Sequence, residues 1–151
     1  LHRTFQGIEL DLSAVTAWMD RPTQTMKRIW RSIRFGLAGW ALVARSQWNM
    51  RFHLFAAAFA LGLCALLQVT AVECVLILIV IALVLSAECI NTAIERLADR
   101  VCPEQDPLIK QCNAAAAGGV LIAACLSVIV GAIIFIPHLI ELLRQWELMT
   151  N

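Results

Sequence analysis

The stretch from Val72 to Asp99, VECVLILIVIALVLSAECINTAIERLAD, decides the fold. It runs apolar from Cys74 to Ala87 and then takes up Glu88, Asn91, Glu95 and Asp99. A helix needs about 20 mainly apolar residues to cross the hydrocarbon layer, and this stretch has them. So do residues 52–69, apolar apart from His53 and Gln68 near the ends, and residues 114–142, interrupted only by Ser127 before Pro137 and His138. In lipid the backbone must satisfy its own hydrogen bonds, so helices are predicted rather than strands. A cleaved signal peptide is a poor reading of the first run, because a long basic segment precedes it and no processing site follows. The expected fold class is an all-α membrane protein, with an N-terminal amphipathic surface helix and three transmembrane helices at about 52–69, 72–97 and 114–142.

Composition agrees. Of 151 residues, 60% are hydrophobic and 15% charged, and the mean hydropathy is +0.76. Soluble domains hold roughly 45–50% apolar residues, so a soluble enzyme and a disordered chain are both disfavoured. A net charge of +1 and a pI near 7.8 give no support to nucleic acid as a partner. The six cysteines form no C-x-x-C pair, and most lie in apolar runs, where cysteine acts as a small hydrophobe.

Charge placement sets the orientation. Arg3, Arg21, Lys27, Arg28, Arg31, Arg34, Arg45 and Arg51 precede the first span. Arg96, Arg100 and Lys110 lie at the second connection, and the first connection, Gln68–Glu73, has no Lys or Arg. The positive-inside rule therefore predicts a multi-pass protein of the cell (inner) membrane with a cytoplasmic N-terminus and second loop.

Before the first span, Trp30, Ile33, Leu37, Trp40 and Ala41 recur at spacings of three and four, with Lys27, Arg31, Arg34 and Arg45 on the remaining surface. Such a cationic amphipathic helix lies in the headgroup layer, as an anchor or as the floor of a site at the lipid–water boundary. Trp40 and Trp48 are the candidate lipid contacts. Further upstream, Phe5, Ile8, Leu12, Val15 and Met19 suggest a short amphipathic helix ending before Pro22. Residues 1–26 are accordingly read as an extension that lies on the membrane or docks a protein partner, and residues 27–151 as the membrane domain.

Glu88, Asn91, Glu95 and Asp99 fall within roughly 80° of one another around a helix, with Thr92 near the same face. An ionisable residue near the bilayer centre costs at least about 2.5–3.5 kcal/mol. Three readings compete: a polar cluster that only fixes packing, a proton or ion pathway, and a catalytic stripe with Glu88 as general base. The stripe occupies only the cytoplasmic half, which counts against a pathway. It does suit the meeting of a membrane-dissolved alcohol with a water-soluble phosphoryl donor, where transfer is largely positioning and charge neutralisation.

Ala87-Glu88-Cys89-Ile90-Asn91-Thr92-Ala93-Ile94-Glu95, followed by Asp99, closely resembles the signature of prokaryotic diacylglycerol kinases. The likeness extends to Gly39, to Asn49-Met50-Arg51-Phe52-His53-Leu54, to Pro103-Glu104 and Pro107-Leu108, and to Ala117-Gly118-Gly119-Val120-Leu121. It covers about residues 28–139, and its N-x-R-x-H-L and P-E-x-x-P-L features resemble the undecaprenol kinase branch. The resemblance implies a homotrimer that phosphorylates a lipid alcohol, diacylglycerol or undecaprenol, from ATP with Mg2+. By position, Glu88 is then the catalytic base, Glu95 holds magnesium beside the phosphates, and Asn91, Thr92 and Asp99 support that network. Arg28 falls where the family places a basic residue near nucleotide and lipid.

Two positions depart from the family pattern. Gln47 stands where relatives often carry a magnesium-holding Glu, and an amide oxygen is a weaker ligand. Asn113-Ala114 stands in place of a Lys-Asp pair that serves the nucleotide, with Lys110 one helical turn earlier as a substitute cation. Small residues from Ala114 to Gly119 allow close helix approach, within the protomer or between protomers. The leading expectation is an integral membrane lipid kinase. The competing one is a catalytically impaired, kinase-like subunit that serves as a scaffold in a larger complex.

Overall fold

The computed structural model describes residues 12–102 and 106–150, with side chains from residue 24 on. Four helices account for almost all of them: α1 (Leu12–Ser46), α2 (Trp48–Leu66), α3 (Ala71–Val101) and α4 (Pro107–Thr150). The last three are long and apolar enough to cross a membrane. Phe5 and Ile8 of the predicted first helix, and Pro103 and Glu104 of the second connection, lie outside the described residues.

The upstream reading needs a correction. A single α1 of 35 residues runs through Pro22, where a separate short helix was expected to end. A proline removes one N–H and so one rung of the ladder, but the turns on either side continue. Two compact units make up the chain, Leu1–Ala41 and Leu42–Asn151. In the first, residues 24–40 are exposed along their whole length, including Arg28, Trp30 and Trp40.

In the second unit the helices overrun the apolar limits read from the sequence. α3 extends to Val101, and α4 has 44 residues, about 66 Å at 1.5 Å per residue. That is twice the hydrocarbon thickness, so the polar ends of the helix continue beyond the apolar segment. α2 instead starts four residues earlier than expected and stops at Leu66, because the chain turns there. Leu67 N–H donates to Leu63 O at 2.8 Å and Val69 N–H to Cys64 O at 3.3 Å. Gln68 between them takes a left-handed φ of 51°, the Schellman way of ending a helix without glycine. α3 then opens with a capping box: Glu73 N–H donates to Thr70 Oγ1 at 3.3 Å, and Thr70 N–H donates to Glu73 Oε2 at 2.8 Å.

α4 packs mainly along α3, α2 also rests on α3, and α2 and α4 barely meet. Cys64, Ile77 and Ile134 form a core near the turn, flanked by Ala60, Ile81, Val130 and Phe135. Glu73 also reaches His138 Nε2 across to α4 at 3.6 Å. These pairs fix α3 and α4 as antiparallel, with Glu73 level with His138 and Ile77 with Ile134. Most other large apolar side chains, Phe55, Phe59, Ile79 and Ile122 among them, are exposed. A Cβ added at Gly118 or Gly119 would meet nothing within 4 Å, so packing within the protomer does not require those glycines.

The turn carries the first prediction. Thr70→Ala removes one side of the capping box and should lower the unfolding midpoint in detergent by about 2–4 °C. Gln68→Gly, which relieves a left-handed non-glycine residue, should raise it. A Thr70→Ala protein that melts with the parent would contradict the capping geometry.

Candidate active site

The far half of α3 builds the site. Its i, i+3, i+4, i+7 spacing puts Glu88, Asn91, Thr92 and Glu95 on the face that packs against neighbouring helices. Glu88 is 2% exposed, Asn91 5% and Thr92 1%. Glu95 is half-buried and Asp99 is exposed, so the face grades from sealed to open towards the Asp99 end. Asn91 Nδ2 donates to Glu95 Oε1 at 2.9 Å.

What remains unpaired is more informative. Glu88 Oε2, Asn91 Oδ1, Thr92 Oγ1 and Asn113 Oδ1 are all buried and without a hydrogen-bond partner. Leaving a buried polar atom unsatisfied costs about 1–3 kcal/mol. A cluster kept only for packing would pair its atoms with one another, as Asn91 and Glu95 do. Three of these atoms, on Glu88, Asn91 and Thr92, lie within about one turn of α3, so that stretch of the face can hydrogen-bond a bound group.

Asn113 belongs to this region through the α3–α4 register. Carried on from the Glu73–His138 and Ile77–Ile134 levels, that register sets Ala123 beside Glu88 and Asn113 level with Ala98. Ala98 and Ala123 are both buried, as such a register demands. Ala114 is exposed, and Lys110, a turn before Asn113, is also exposed.

The α1–α2 corner is tied down beside α3. Arg51 donates from Nε to Ala44 O at 3.2 Å and from Nη2 to Arg45 O. Arg96 Nη2 donates to Ser46 Oγ at 2.6 Å. Met50 beneath is fully buried. The corner presents Gln47 as the N-cap of α2 in an extended conformation, its side chain making no capping hydrogen bond, and Trp48 stays exposed. Arg28 and Trp40 belong to the first unit.

His53 enters the sequence reading as a polar interruption near a span end and as part of the N-x-R-x-H-L feature, with no role assigned to it. It lines, with Val84 one turn before Glu88, the cavity between α2 and α4. Spacing along one helix could not reveal a partner on another, although the polar residue in an apolar run was a signal.

A profile of the prokaryotic diacylglycerol kinase family matches residues 34–135, which takes in the α1–α2 corner, the polar face of α3 and the start of α4. The chain belongs to the prokaryotic diacylglycerol kinase family. It is 39% identical over 97 residues to an undecaprenol kinase of Bacillus subtilis, covering 64% of this chain and 78% of that protein. It is also 33% identical over 128 residues to a diacylglycerol kinase of a Synechocystis species, covering 84% of this chain and 70% of that protein. The chain is thus a membrane lipid kinase of that family, and ATP is its co-substrate.

A kinase of this kind usually works with a divalent metal. No group of three or more His, Cys, Asp or Glu side chains suited to a metal occurs among the described residues. Magnesium asks less: it is commonly held by one or two carboxylates plus substrate phosphates and water. Glu95, half-exposed and oriented by Asn91, with unpaired oxygens on its buried side, fits that demand.

Thr92 supplies a test of the idle atoms. Thr92→Val keeps the shape and removes a buried hydroxyl that has no partner, so thermal stability in detergent should rise by about 1 kcal/mol. A clear loss of stability would mean that the hydroxyl is bonded in the folded protein.

Proposed function

We propose that the kinase transfers the γ-phosphate of ATP to a polyprenol of the undecaprenol class, with Glu88 as general base. The observation that carries this reading is the idle, buried Glu88 oxygen at the deep end of a polar face that opens towards Asp99. Identity to the Bacillus enzyme and the Asn49-Met50-Arg51-Phe52-His53-Leu54 stretch support the polyprenol over diacylglycerol.

In this reaction Glu88 accepts the proton of the lipid hydroxyl. The lipid oxygen bonds to the γ-phosphorus, the bond from that phosphorus to the β–γ bridging oxygen breaks, and ADP leaves. Asn91 orients Glu95, and Thr92 adds a hydroxyl to the same polar network. Glu95, with the Gln47 amide, would hold the metal, which when bound neutralises phosphate charge. Arg28, Lys110, Asn113 and Asp99 are the proposed nucleotide contacts, and Trp40 and Trp48 the lipid contacts at headgroup level. The cytoplasm receives the N-terminus and the α3–α4 connection, in keeping with their Lys and Arg. A homotrimer is the proposed assembly, supported by the unfilled space beside Gly118 and Gly119. The extension before residue 27 is the proposed dock for a protein partner.

The test is phosphate transfer by the purified protein to undecaprenol and to diacylglycerol, with radiolabelled ATP. Undecaprenol should be preferred, and Glu88→Gln should lower kcat by about 10²–10⁴-fold. An unchanged rate in Glu88→Gln would overturn the assignment of the base. Because Asn113-Ala114 replaces the family's Lys-Asp pair and leaves Lys110 as the cation at the start of α4, the KM for ATP should be high. Asn113→Lys combined with Ala114→Asp should lower it while leaving the KM for lipid in place.

A further inference from the structure

Two cysteines flank the connection between α2 and α3. Cys64 is the third residue from the end of α2, and Cys74 is the fourth of α3. At 1.5 Å per residue each lies within about 6 Å of helix rise from that connection. Spacing puts both on the face that their helices turn towards each other. Cys64 follows Ala57 and Ala60 at steps of three and four, and Cys74 leads to Ile77, Ile81 and Val84 in the same way. Along the cavity between the helices, α2 runs from His53 to Ala60 while α3 runs back from Val84 to Ile77, so the two keep step. One further turn brings Cys64 level with Cys74. The packing agrees: Cys64 is 7% exposed in the core that it shares with Ile77 and Ile134, and half-buried Cys74 packs against that core. Both thiols are free and lie within hydrogen-bonding reach of one another. A small hydrophobe of any kind would fill this volume. Two thiols in contact add a chemistry that volume does not need.

We propose that Cys64 and Cys74 form a reversible disulfide on the extracytoplasmic side, with Cys74 as the attacking thiol and Cys64 as the resolving one. The proposal uses the orientation given above, in which a first connection without Lys or Arg faces away from the cytoplasm, and it is independent of the kinase reading. Disulfides form and persist in the compartment outside that membrane. The oxidant is itself a disulfide, such as oxidised glutathione or an exchange protein's pair. Cys74 is the more exposed thiol, so an aqueous disulfide reaches it first. Its thiolate attacks one sulfur of the oxidant, a mixed disulfide forms, and the other sulfur leaves as a thiolate. Cys64 then attacks Cys74 Sγ and expels the second thiolate. The pair thereby loses two electrons and two protons, and the oxidant ends as two thiols. The new bond adds a covalent tie to the turn at Gln68 and the capping box at Thr70.

The experiment is disulfide mapping on the full chain in phosphatidylcholine nanodiscs. The chain is reduced, freed of reductant and exposed to oxidised glutathione. It is then denatured, alkylated with N-ethylmaleimide and digested for mass spectrometry. Most molecules should carry one peptide pair linked through Cys64 and Cys74, and the melting midpoint should rise by about 5–10 °C. Cys64→Ala should trap glutathione on Cys74, whereas Cys74→Ala should leave Cys64 open to alkylation only after denaturation. Both variants are compared at the parent's helicity and elution volume. Alkylation of both cysteines after oxidation, or a link from either to another cysteine, would overturn the pair. Glutathione trapped on Cys64 instead of Cys74 would overturn the order of attack. Acid-quenched bacterial cells producing the chain should yield the same linked peptides, and their absence there would contradict the extracytoplasmic placement. Phosphate transfer enters none of these outcomes, so the kinase reading stands or falls separately.

Discussion

A carboxylate held in an apolar helix bundle is the constraint on which the rest of the structure depends. Glu88 is almost wholly buried, and one of its oxygens has no partner. Keeping such a group in a membrane segment is expensive, and the contacts that join α3 to α4 at their other end, Ile77 with Ile134 and Glu73 with His138, do not involve it. The surrounding atoms repeat the pattern. Asn91, Thr92 and Asn113 each leave an oxygen idle, while Asn91 spends its amide on orienting Glu95. Stability is given up in one place, and that place lies on the face that grades from sealed to open.

The remaining architecture holds that face in position. Helices in lipid gain little from apolar association, so register depends on specific contacts. At one end of the bundle, the Schellman turn at Gln68, the capping box at Thr70 and the Glu73–His138 pair lock α2, α3 and α4 together. At the other, Arg51 and Arg96 tie the α1–α2 corner to its neighbours. Between these clamps the helices separate enough to leave a groove beside Ala57 and Gly131. The bundle is tied at both ends, and the groove lies between them.

Much of this could be read from residues alone. Apolar length announced three spans, and the three–four spacing of Glu88, Asn91 and Glu95 announced one polar face, because both depend on periodicity within a single helix. The family resemblance on those residues agrees with the matched profile. Other features needed coordinates. The single α1 through Pro22 was hidden because a proline ends helices in most settings but not all. His53 of α2 lining one cavity with Val84 of α3, and the buried, idle Oδ1 of half-buried Asn113, depend on how separate helices align. The groove follows from small residues on two helices that barely touch, which no one-dimensional pattern records.

The central claim is that one helix face connects the lipid phase to the aqueous phase, and carbodiimide labelling tests it most directly. A lipid-soluble carbodiimide should modify Glu88, and addition of the prenol should protect it, while a water-soluble carbodiimide should modify Asp99 and Glu95 and spare Glu88. Labelling of Glu88 by neither reagent, or by the water-soluble reagent alone, would contradict the account.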